Sequence, residues 1–139
     1  MTKERKRQIV SITAAALGGL LVWLIAVHLA DVDLIVRSGS NERPVGPGAV
    51  AIVAILAGLA AVGLAELLAR RAAHPRRTWR IIAGLALAVS LTGPLGATSA
   101  GAVATLVGMH LLVGVTLIVG IGGTLEPDRT LASAGREGR

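Results

Sequence analysis

The sequence predicts an all-α fold, a four-helix transmembrane bundle with both termini cytoplasmic. Three observations carry this. Apolar residues make up 53% of the 139 residues, and a soluble domain this apolar would lack the polar surface to cover itself. Those residues are gathered into long runs, the pattern expected when lipid is the solvent. The runs are set apart by a basic loop, a turn-rich connection and a break at Gly93-Pro94. By length the chain is one domain. It divides into a basic tail (1–8), a membrane domain (9–123) and a tail expected to be disordered (124–139).

The first span runs from about Ile9 to Ala30, and its 22 residues reach the ~30 Å needed to cross at ~1.5 Å per residue. The basic tail before it resembles the start of a signal peptide, but the run exceeds the usual core of one. His28 would also occupy a cleavage position that wants a small residue, so an uncleaved helix is expected. The connection from Asp31 to Pro47 is slightly acidic and carries turn chemistry at Ser38-Gly39-Ser40-Asn41 and Pro44-Val45-Gly46-Pro47-Gly48. The short piece from Val32 to Val36 fits either a helix extension or an interfacial segment.

The second span is expected from Ala49 to Ala69, with Pro47 suited to the turn before a helix start. Ala57, Ala61, Ala65 and Ala69 recur every fourth position, and Ala54 and Gly58 form a second small pair. Such spacing lets helix backbones approach closely in lipid, although an Ala-rich chain also produces it by chance. The segment from Arg70 to Arg80 is a basic loop around Pro75, and Trp79 stands where an interfacial ring is common. From Ile81 to Gly123 no residue is charged apart from ionisable His110, a run far too long for one crossing. Gly93-Pro94 divides it into a third span near Thr78 to Ala97 and a fourth near Ala102 to Gly122.

The formal net charge of +6 sits beside the spans, in the N-terminal tail and the 70–80 loop. There it sets orientation and needs no nucleic acid to explain it. Both clusters place the N-terminus and the 70–80 loop in the cytoplasm, and parity puts the C-terminus there too. The chain has no cysteine, which excludes disulfides and thiolate metal sites. No catalytic triad, metal-ligand spacing or phosphate-binding loop is complete, so no catalytic, metal or cofactor residue is assigned.

The polar residues set within apolar sequence are the candidate sites. His110 lies about 13 Å deep by helical rise, and an ionisable side chain at that depth is either functional or hydrogen-bonded to a neighbouring helix. Pro94 has no N–H, so the Ser90 carbonyl is the expected partner. His28 is near Asp31 and Asp33 at the outer end of the first span, a weak metal pattern or simply interfacial polarity. His28 and His110 differ too much in depth to share a haem. Glu66 precedes Arg70 by one turn, the favourable order for an ion pair or for snorkelling. Gly108 flanks His110 and would serve helix contact.

Several strings together (Val36-Arg37-Ser38-Gly39-Ser40, Pro44 to Val50, Arg77-Thr78-Trp79, Leu91-Thr92-Gly93-Pro94-Leu95 and Met109-His110-Leu111) resemble a family of small four-helix membrane proteins from actinobacteria, classed as a domain of unknown function. The resemblance implies the four-helix architecture and no activity. Two function classes remain. One is an accessory or structural subunit in a bacterial inner membrane, packing on a membrane-protein partner or on itself. The other is an oligomeric small transporter or proton-linked channel using His110.

Overall fold

The computed structural model describes residues 2–125. The elements, in order, are α1 (Lys3–His28), a hairpin of β1 (Ile35–Ser38) and β2 (Asn41–Pro44), α2 (Pro47–Arg71), α3 (Pro75–Ser90), a 3-10 turn (Gly93–Gly96) and α4 (Ala100–Gly122). Four helical segments are long and apolar enough to cross a membrane. This is a multi-pass bundle. The C-terminal tail expectation falls almost wholly on residues 126–139, outside the described residues.

The helix ends differ from the sequence reading for local reasons. α1 begins at Lys3 rather than Ile9, so the basic tail is itself helical: the Thr2 hydroxyl accepts the Arg5 N–H at 3.3 Å, and Glu4 lies in the first turn. Its C-terminus is closed by Asp31, whose left-handed backbone (φ 48°) lets the Val32 N–H reach the Ala26 carbonyl at 2.9 Å. α3 starts at Pro75, not Thr78, because proline is pre-organised for a first helical turn. It stops at Ser90, well before Ala97. Pro94 cannot continue the N–H ladder, and the chain tightens into the 3-10 turn. The 16 residues of α3 alone span only ~24 Å. With the turn, the segment Pro75–Gly96 is long enough to cross.

The connection between the first two helices does not extend α1. It is an antiparallel hairpin in which Ser38 pairs with Asn41 across Gly39 and Ser40. Gly39 takes the positive φ (63°) that a two-residue hairpin loop requires at this place. Arg37 and Glu42 face each other in register and form an ion pair at 2.6 Å, exposed and therefore of small energetic weight. Leu34 is buried beneath the hairpin. The Trp23 indole N–H donates to the Val45 carbonyl at 2.7 Å, and the Thr98 N–H donates to the Ile35 carbonyl at 3.1 Å. The hairpin thus caps one end of the bundle and is tied to both α1 and the α3–α4 connection.

The other end gathers the basic segments. The Arg7 guanidinium donates to the Gly123 carbonyl at 3.2 Å, capping the C-terminus of α4 with positive charge from α1. Trp79 from the start of α3 packs there with Ala65, Leu68, Leu117 and Ile121. It is 1% exposed and donates its indole N–H to the Ile118 carbonyl at 3.1 Å. Trp79 is therefore a core side chain and not the interfacial ring expected from its place beside the basic loop. The start of α1, the α2–α3 loop and the end of α4 share this end of the molecule.

α4 touches all three other helices, and its tightest partner is α1. The buried positions of α1 are Ser11, Ala15, Gly19 and Ala26. This small-residue seam lies outside the sequence expectation, which places close helix contact at the alanines of α2.

Candidate functional site

α2 and α3 pack closely where Ala65 and Leu68 meet Trp79, near the loop that joins them. Beyond that contact lies a cleft of about 630 Å³ bounded by α2, α3 and α4. That size falls in the ~300–1,000 Å³ range of small-molecule sites. Ala57, Ala60 and Ala61 form part of its α2 wall, and short side chains there leave the space open. Along α4 the lining runs from Leu106 to Ile118, a length of ~18 Å by helical rise. That exceeds the half-thickness of a ~30 Å hydrocarbon core.

Only three lining residues carry a polar side-chain group: Trp79, Ser90 and His110. Each has a hydrogen bond inside the protein. The Trp79 N–H is held by the Ile118 carbonyl. The Ser90 hydroxyl donates to the Leu87 carbonyl at 2.7 Å. His110 Nδ1 lies 2.7 Å from the Leu106 carbonyl, one turn earlier on its own helix. A carbonyl can only accept, so Nδ1 carries the proton in this contact.

His110 and Ser90 therefore line one cleft, partly buried, without bonding to each other. The expected pairing is replaced by a local one for each residue. A helical serine readily bonds a backbone carbonyl on its own preceding turn, and here the His110 ring does the same. Pro94 is buried and lines the same cleft. Its missing N–H matters less than supposed, because α3 has already ended at Ser90.

The remaining sequence candidates lie apart from this place. His28 is exposed, and its ring meets Trp23 edge-on with centroids 5.5 Å apart. Asp31 is exposed and serves the helix end described above. Among the described residues no group of three His, Asp or Glu side chains is placed to hold a metal ion. Glu66 is exposed, and the only ion pair among the described residues is Arg37–Glu42, so Glu66 does not pair with Arg70.

The packing candidates divide. Gly58 is buried against Ile12, whose Cγ1 would lie 2.7 Å from an added Cβ, and Ala65 is 1% exposed. Ala61 is half-buried against the core. Ala57 and Ala69 are exposed, with Ala57 facing the cleft. Gly108 is exposed and has no atom within 4 Å of an added Cβ, so it makes no close helix contact. Gly114, one turn after His110, does: an added Cβ would lie 2.5 Å from Leu87 Cδ1.

The chain belongs to a family of unknown function, DUF6069, whose model matches residues 1–127. No curated protein and no solved structure matches it.

Proposed function

We propose that this member of the DUF6069 family is a non-enzymatic accessory component of a bacterial cytoplasmic membrane that holds a long apolar molecule in the α2–α3 cleft. The observation that carries this reading is the cleft itself. It is a ligand-sized space with apolar walls inside a membrane bundle, and its few polar groups sit within hydrogen-bond geometry suited to orientation rather than to chemistry. A nucleophile with an adjacent base is missing among the lining residues, which favours binding over catalysis.

Filling the space tests the reading. Ala57→Trp places a large ring on the exposed, cleft-facing side of α2, where it meets no packed core. It should leave the unfolding midpoint within about 0.5 kcal/mol of the parent and abolish uptake of a fluorescent long-chain hydrocarbon probe by the purified protein. Undiminished uptake would move the site elsewhere.

The same reading places the basic end in the cytoplasm. The supporting observation is that the N-terminal and 70–80 clusters lie at one end of the bundle, the end opposite the hairpin. A reporter active only outside the cytoplasm should be active when fused after Gly39 and silent when fused after His74. The reverse pattern would invert the topology.

A further inference from the structure

We propose that the ligand of this cleft is a long-chain apolar alcohol, recognised through its hydroxyl hydrogen by His110. The inference rests on the cleft reading above and adds the chemistry of the polar group. It follows from a count of what each polar side chain in the lining still offers. The Trp79 N–H is committed to Ile118, the Ser90 O–H to Leu87, and the His110 Nδ1–H to Leu106. No side-chain donor in the lining is left over. What remains are lone pairs: His110 Nε2, which has no partner among the described residues, and the Ser90 oxygen.

A site with acceptors and no side-chain donors discriminates by chemistry. A carboxylate, phosphate or ketone brings only acceptors to the neutral imidazole and to a Ser90 hydroxyl already donating to Leu87, and finds no donor there. A hydrocarbon leaves a polar nitrogen unmatched in an apolar surround, which is costly where water is scarce. A hydroxyl brings the one missing element, an O–H donor, and itself tolerates a low-dielectric setting because it is uncharged. The remainder of the ligand must be apolar and long. From His110 to Ile118 the lining continues as Val113, Gly114, Leu117 and Ile118 on α4 with Leu87 and Ala83 across from them. That stretch covers ~12 Å of helix, room for an extended chain leading away from the hydroxyl. Trp79 closes its far end.

The experiment uses the full chain in mild-detergent micelles with its three histidines ¹⁵N-labelled. The probes are decanol, its methyl ether and decane, which share a chain and differ in the donor. Decanol should shift the His110 Nε2 resonance while those of His28 and His74 stay in place. It should bind about five-fold more tightly than the ether, the net worth of one hydrogen bond. In His110→Leu the alcohol and the ether should bind alike. Equal binding of all three probes to the parent protein, with Nε2 unmoved, would overturn the hydroxyl inference and leave the cleft reading standing. Failure of every probe to bind would overturn both. The parent protein's nitrogen shift decides the hydroxyl question however His110→Leu folds.

Discussion

Gly120→Leu should loosen the bundle more than any other glycine substitution in the membrane domain. Gly120 faces α1 so closely that an added Cβ would fall on the Ser11 hydroxyl, with Ser11 Cβ at 2.7 Å. Ser11 cannot yield, since it is 6% exposed and its hydroxyl donates to the Arg7 carbonyl at 2.8 Å. The strain therefore passes to the helix axes. Separating them opens the seam at Ala15, which is fully buried, and at Gly19, whose missing Cβ admits Val50 and Val113. Between helices in lipid there is no water to expel, so association rests on close van der Waals packing and is lost as the helices part. The expected cost is at least the ~1–3 kcal/mol typical of overpacking, read as a lower denaturant midpoint in micelles. Gly63→Leu is the control, because nothing lies within 4 Å of that position. Equal midpoints for the two variants would show that α1 and α4 do not meet as described.

The small-residue faces of the helices are only partly legible in the sequence. A repeat of four residues advances ~400° around a helix, so each step drifts about 40° from the last. Ala57, Ala61, Ala65 and Ala69 therefore cannot share one contact face. Ala65 is buried, Ala61 half-buried, and the two ends are exposed. The true seam of α2 steps from Ala54 and Gly58 to Ala65 and Leu68, mixing spacings of four, seven and three. On α1 the seam mixes small apolar residues with the polar Ser11, so no apolar stripe marks it. The hairpin was more legible than supposed: Ile35-Val36 followed two residues later by Gly39-Ser40 is a recognised hairpin signal. Its position between two membrane spans leaves a helix extension and an interfacial segment as equal readings of the sequence.

Span number and the basic end were readable because length and charge act without tertiary detail. The cleft was not. It arises where α2 and α3 diverge beyond their contact at Trp79, which depends on packing that no single run of sequence encodes. His110 was nonetheless legible from its depth, and Ser90 and Pro94 from the N–H that proline lacks, and all three line it. Neither signal predicted the hydrogen bonds. The Ser90 and His110 side chains each reach a carbonyl on their own helix, and that choice leaves the lone pairs on which alcohol recognition depends.

Trp79→Ala is the second substitution expected to have a large effect, and it separates two readings of the residue. A tryptophan beside a basic loop at a span start fits the interfacial belt, where its removal would alter anchoring and cost little in folding. The structure instead seats the ring over Gly122, where an added Cβ would lie 2.7 Å from Nε1, and surrounds it with Leu68, Ile121 and Leu125. Its removal leaves a void at the junction of α2, α3 and α4. In soluble cores Trp→Ala costs ~3–5 kcal/mol. Part of that reflects transfer from water, which does not apply between helices in a bilayer, so about 3 kcal/mol is expected here. Trp79→Phe keeps most of the ring and removes the N–H bonded to Ile118, for about 1 kcal/mol. Unfolding in a denaturing-detergent titration should rank the parent above Trp79→Phe and Trp79→Ala lowest. Because Trp79 joins α3 to Ala65 and Leu68 of α2, Trp79→Ala should also widen the cleft, raising uptake of the hydrocarbon probe before global unfolding sets in. Identical titration curves for all three proteins would return Trp79 to the headgroups and leave the closed end of the cleft without its wall.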